Sequence, residues 1–292
     1  MTARIISLII TGIILLVLSI AYIKYVILDD YIYPFRVYVK WIPAAVLLLS
    51  TGLTGLYLIK CEISNLSIRI KSHIKFYVIL LWVYACCITG DILLCLGSTY
   101  YLGGMVSFMI GYILISILHL THSYPNLNLL HTKKLLVGCW IIAVITMTVV
   151  AFIIKTDSEI NHKFDSIADV IGIIVYATVI ASTEICCLAY YLTSHRTHRL
   201  ARWHVNLGAI LLITGVSLFI ISDIMVIFND ITVRSKFIEI ADMMLYWLSL
   251  YLIYGSVIVH EMPRDISSLD YNILGASESL PPYIDDVSYD VQ

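Results

Sequence analysis

The sequence predicts an all-α, multi-pass membrane protein with eight spanning helices. Three observations carry that reading. Of 292 residues, 60% are apolar and only 13% are charged, whereas soluble domains run at about 45–50% apolar and about 25% charged. Mean hydropathy is +0.93. The apolar residues also gather into eight stretches close to the roughly 20 residues that a spanning helix needs. A net charge of −2 gives no basic surface for nucleic acid; the bilayer is the expected surrounding.

The eight stretches are Ile5–Leu28, Trp41–Ile59, Phe76–Gly97, Tyr101–Leu120, Leu135–Ile154, Ile167–Leu192, Leu207–Phe228 and Phe237–Val259. The first follows Met1-Thr2-Ala3-Arg4 with no small-residue cleavage site, so it reads as a span and not a removed signal. The link Gly97-Ser98-Thr99-Tyr100 is too short for anything but an antiparallel hairpin of the third and fourth spans. Eight spans put both termini on one side. That side would carry eleven Lys and Arg residues against seven opposite, and positive charge favours the cytosol. Both ends are therefore expected to be cytosolic, and the sequon Asn65-Leu66-Ser67 with them. Residues 1–260 form the membrane domain. The remainder, 261–292, is acidic and polar, contains Pro281-Pro282, and is expected to be a disordered cytosolic tail. Within it Tyr271-Asn272-Ile273-Leu274 has the tyrosine-x-x-bulky form of a sorting signal.

Two aspartates stand out. Asp91 follows Gly90 and precedes Ile92-Leu93-Leu94; Asp223 follows Ser222 and precedes Ile224-Met225-Val226. An ionised Asp at a membrane-helix centre costs about 2.5–3.5 kcal/mol, which makes such a residue a functional candidate. Asp91 lies 15 residues beyond Phe76 and Asp223 16 beyond Leu207, on spans that run the same way. Two parallel four-helix repeats would explain the match. The structural alternative is a pair of acids bonded to neighbouring helices, with Gly90 and Ser222 permitting close packing.

Other polar residues are weighed the same way. Lys40, in Val39-Lys40-Trp41-Ile42-Pro43, is either a snorkelling interface lysine, a counter-charge for the aspartates, or a phosphate anchor. Glu184, inside the sixth span, suggests an internal cavity. Glu239 and Asp242 begin the eighth span, where acids suit the positive helix end. His195, His198 and His204 are interleaved with Arg196, Arg199 and Arg202; cations oppose a metal, so the segment reads as a basic juxtamembrane loop. Seven cysteines, including Cys86-Cys87 and Cys186-Cys187 within apolar runs, show neither metal spacing nor a disulfide pattern. No metal and no cofactor is expected. The Walker, nucleophile-elbow and zinc-protease motifs are absent from the sequence.

Three blocks resemble the YhhN-type, lysoplasmalogenase-like family of eight-span membrane proteins. They are Val39-Lys40-Trp41-Ile42-Pro43; Gly90-Asp91-Ile92-Leu93-Leu94 with Gly104-Met105-Val106-Ser107-Phe108; and Gly215-Val216-Ser217-Leu218-Phe219-Ile220-Ile221-Ser222-Asp223. The resemblance covers roughly residues 1–260. It departs at Tyr112, where the family has a histidine, at Ile115 in place of a tyrosine, at Ile185-Cys186 in place of Trp-Arg, and at Leu250 in place of a glutamine. The resemblance implies hydrolysis of the vinyl ether of lysoplasmalogen, a lysophospholipid, to a fatty aldehyde and glycerophosphoethanolamine or glycerophosphocholine. Asp91 and Asp223 would then be the catalytic pair, one protonating carbon and the other stabilising the cation, as two carboxyl groups do in glycosidases. Lys40, Tyr112, Glu184 and Ser222 would hold the substrate. A binding scaffold that has lost its activity and a proton-coupled transporter remain open at this point.

Overall fold

The computed structural model describes residues 2–28, 39–63, 70–96, 100–123, 167–197, 203–231 and 236–261, together with residues 137, 138, 140, 141 and 145. These form seven helices: α1 (Thr2–Leu28), α2 (Ile42–Ile63), α3 (Ile70–Cys95), α4 (Tyr101–Ser123), α5 (Ile167–Thr197), α6 (Trp203–Ile231) and α7 (Lys236–Glu261). Six are long and apolar enough to cross a membrane, and the apolar part of α2, Ile42–Tyr57, is shorter. With no strand among the described residues, the protein is an all-α, integral multi-pass membrane protein. Seven helices stand among the described residues, and residues 137, 138, 140, 141 and 145, inside the predicted fifth span, are also helical. The predicted fifth span, Leu135–Ile154, falls almost wholly outside the described residues, and the suggested four-plus-four repeat falls outside with it. The tail beyond Glu261, the sequon, the tyrosine-based signal and residues 198–202 of the basic segment also lie outside them.

These helices form because their apolar residues run around the whole circumference, as membrane spans require. Ile9, Ile13, Leu16 and Ile20 of α1 and Leu49, Leu53 and Leu56 of α2 are exposed, an outward apolar face suited to hydrocarbon. Successive helices α2 to α7 pack as neighbours, and α7 also touches α1, α2 and α3. It is the axle of the bundle. Its Tyr246, Trp247, Leu250, Ile253, Tyr254 and Ile258 are all buried.

Polar side chains fasten the other helices to this axle. Tyr84 of α3 donates to the Leu250 carbonyl at 3.2 Å. Tyr251 donates to the Leu8 carbonyl of α1 at 3.1 Å, and the Tyr254 and Ser7 hydroxyls lie 2.8 Å apart. Because lipid is as apolar as Leu, such bonds and close packing of small residues hold membrane helices together. Gly215 supplies the close approach of α6 to α7: a Cβ there would lie 3.0 Å from the Ser249 carbonyl oxygen and 3.2 Å from the Ile253 nitrogen. Gly90 makes room in the same way for the Phe108 ring, which a Cβ would meet at 2.6 Å.

Gly215→Ala is therefore expected to destabilise the protein by about 1–3 kcal/mol, the usual cost of overpacking, read as a lowered melting temperature in detergent. Gly138→Ala, whose added methyl meets nothing within 4 Å among the described residues, is expected not to lower the melting temperature.

Candidate functional site

One cavity gathers most of the chain's notable polar residues. It is lined by Lys40, Asp91, Tyr176, Ser222, Asp223, Asp242 and Tyr246, with Leu94, Met105, Phe108, Val226 and Met243 as apolar walls and Tyr101 at one side. The lining residues come from one end of the bundle. Asp91 stands four residues before the end of α3, Lys40 just before α2, and Asp242 in the second turn of α7. At 1.5 Å per residue Asp91 is about 6 Å from its helix end. Asp223 stands eight residues before the end of its helix, so both aspartates lie towards the end that carries Lys40, as their positions in the sequence lead one to expect.

The two aspartates sit in different surroundings. Asp91 is wholly buried. Its Oδ1 lies 3.8 Å from the Lys40 ammonium, and its Oδ2 accepts a hydrogen bond from Tyr246 at 2.9 Å. Among the described residues Oδ1 has no hydrogen-bond partner, so the lysine acts on it through charge. Lys40 is in turn held by its own backbone, whose carbonyl accepts from Trp247 Nε1 at 3.3 Å. Of the three readings of Lys40, the geometry matches the counter-charge.

Asp223 is half-buried. Its Oδ2 accepts two hydrogen bonds, from Tyr112 at 2.8 Å and from Tyr176 at 2.6 Å. The neighbouring Ser222 donates to Asp242 Oδ1 at 2.6 Å. An aromatic floor joins the two carboxylates: Phe219 packs against Tyr246 at 5.2 Å and against Tyr112 at 4.8 Å between ring centroids. Gly215, Phe219, Ser222 and Asp223 follow the i, i+4, i+7, i+8 spacing of one helical face. That face packs α6 on α7, forms the aromatic floor, bonds Asp242, and presents Asp223.

The cavity is partly open and leaves about 40 Å³ for water-sized molecules, enough for more than one water at roughly 10–15 Å³ each. Both polar groups and hydrocarbon line it. No group of three or more His, Cys, Asp or Glu residues able to hold a metal occurs among the described residues.

Four of the expected site residues, Lys40, Asp91, Ser222 and Asp223, line this cavity, and Tyr112 supports it from behind. Glu184 does not join them. Its Oε1 accepts from Ser217 at 2.7 Å at the α5–α6 seam, and it is not among the lining residues. Asp242 is a correction in the other direction. The sequence reading makes it an acid of the helix start, but only Glu239 lies in the first turn of α7, and Asp242 faces the cavity. The available signal was its spacing from Tyr246, four residues on and so on the same face. Tyr176 could not be singled out among 21 tyrosines.

Removing Lys40 should strand the buried Asp91 carboxylate, a loss of about 3 kcal/mol for a broken buried pair. Lys40→Met is thus expected to lower the melting temperature in detergent. Adding Asp91→Asn should restore most of the loss, and failure of the double variant to recover would contradict the pairing.

The profile of the YhhN family matches residues 56–257. No curated protein and no solved structure matches the chain. The match spans more than half of the sequence, and it takes in Asp91, Tyr112, Tyr176, Ser222, Asp223, Asp242 and Tyr246; the chain belongs to the YhhN family.

Proposed function

We propose that this YhhN-family protein is a lysoplasmalogenase-type hydrolase, which cleaves the vinyl ether of a lysophospholipid to a fatty aldehyde and a glycerophospho-alcohol. The observation that carries the reading is the common cavity of Asp91 and Asp223, with room for water and an apolar wall. Vinyl ethers are cleaved by protonating the β-carbon. The resulting oxocarbenium ion adds water, and the hemiacetal collapses. The reaction needs a proton donor, a nearby anion and a water molecule, as glycoside hydrolysis does.

The surroundings of the two aspartates divide these roles. The Lys40 ammonium beside Asp91 favours a carboxylate there, so Asp91 stabilises the oxocarbenium ion. Asp223 accepts both tyrosine hydroxyls on Oδ2, which leaves Oδ1 to carry the proton. Once that proton leaves, the same two hydroxyls stabilise the new anion. With the cation beside Asp91 and neutral hydroxyls on Asp223, Asp223 is the better placed to hold the proton and serves as the general acid. Tyr112, at the position of the family's histidine, orients it. Phe108, Met105 and Val226 offer apolar contact to the alkenyl chain, while the headgroup stays outside a cavity of this size. Both termini face the cytosol in this reading, and the cavity opens towards the opposite side.

The test is aldehyde release from lysoplasmalogen by purified protein. Asp91→Asn and Asp223→Asn are each expected to lower the rate by at least about 10²-fold, the usual contribution of an acid–base group, with the melting temperature showing that each variant is folded. Full activity in either variant overturns the mechanism. A wild-type protein that binds the lipid but releases no aldehyde supports the binding scaffold instead.

A further inference from the structure

The mechanism above uses two of the three carboxylates that line the cavity, and leaves the water without a proton acceptor. Asp242 has little exposed surface, 6%. Its Oδ1 accepts from Ser222 at 2.6 Å, and Ser222 is the residue next to the proposed acid. Asp242 and Tyr246 are one turn apart on α7, and Tyr246 bonds Asp91 at 2.9 Å. One helix face thus places a third carboxylate beside both members of the pair. The buried Asp91 Oδ1, which has no hydrogen-bond partner among the described residues, is a second sign that this space receives a donor from outside the chain.

We infer that Asp242 is a third catalytic residue, the base that takes the proton of the attacking water; the inference rests on the hydrolase reading. The protons balance. Asp223 gives its proton to the β-carbon, and the π pair of the double bond forms the new C–H bond. Water oxygen attacks the oxocarbenium carbon, and the proton it loses passes to the Asp242 carboxylate. In the collapse, the hemiacetal hydroxyl returns a proton to Asp223 as the C–O bond to glycerol breaks. Asp242 then protonates the leaving oxygen. Both groups end as they began, and the sum is vinyl ether plus water to aldehyde plus alcohol. Ser222 is the positioning residue: its hydroxyl fixes one Asp242 oxygen at the cavity wall.

The experiment measures aldehyde release by Asp242→Asn and Asp242→Ala in the full-length protein, with and without added sodium formate. Both variants are expected to fall by about 10²-fold or more. In Asp242→Ala, formate fits the space of the missing carboxylate and is expected to restore at least a tenfold share of the rate. Formate is expected to do nothing for Asp223→Asn, where a proton donor and not a base is missing. Either Asp242 variant within threefold of wild type overturns the inference, as does a folded Asp242→Ala that formate does not rescue. Should neither variant survive purification, Asp242→Glu keeps the base one methylene out of place. Retained measurable activity supports the role, and a folded but inactive Asp242→Glu overturns it. No aldehyde from the wild type sinks the hydrolase reading itself, and so differs from every outcome that concerns Asp242 alone.

Discussion

A carboxylate taken out of water must find donors or a cation, or the structure that buries it does not persist. In this bundle that constraint fixes where the helices stand. Asp91 on α3 reaches Tyr246 on α7 and Lys40 ahead of α2. Asp223 on α6 reaches Tyr112 on α4 and Tyr176 on α5. Ser222 on α6 reaches Asp242 on α7. Six of the seven described helices or their flanks therefore meet at one set of acid groups. Apolar side chains cannot supply this selectivity, since hydrocarbon solvates a leucine as well as a neighbouring helix does.

The same contacts explain why structure and chemistry are hard to separate here. Phe219 touches both Tyr246 and Tyr112, so the rings that bond one carboxylate pack against those that bond the other. Gly90 clears space for Phe108 and Gly215 for the α7 backbone. Each glycine lies on the same helix as one of the two aspartates, and within one or two turns of it. In the proposed reaction, acid groups held in this way need little reorganisation when charge develops at the substrate, the situation in which fixed polar groups act most strongly.

Much of this was legible in the chain. Composition and apolar length gave the membrane class, and the two small-residue–Asp pairs pointed to the cavity. Within the last family block, Gly215, Phe219, Ser222 and Asp223 share one packed helical face. What the residues did not disclose is the pairing between helices. A buried acid calls for hydroxyl donors, but nothing local distinguishes Tyr176 and Tyr246 from the chain's other tyrosines, because the contacts join residues 47 and 155 positions apart. Asp242 was misread because proximity to a predicted helix start resembles a capping position. Asp242 lies past the first turn whether the helix starts at Lys236 or at the predicted Phe237, and it lines the cavity. Glu184 was over-read for the opposite reason: an acid in an apolar run need not face the same cavity, and one serine at the α5–α6 seam meets it.

Carbon protonation is the step on which the functional reading turns, and it leaves an isotopic mark. Incubate the protein with lysoplasmalogen in D₂O, and reduce the aldehyde to its alcohol as it forms. Transfer of the exchangeable Asp223 proton to the β-carbon predicts one deuterium on the carbon next to the former carbonyl, in a product that Asp223→Asn does not yield. Aldehyde without that deuterium, or labelled aldehyde at the wild-type rate from Asp223→Asn, would contradict it.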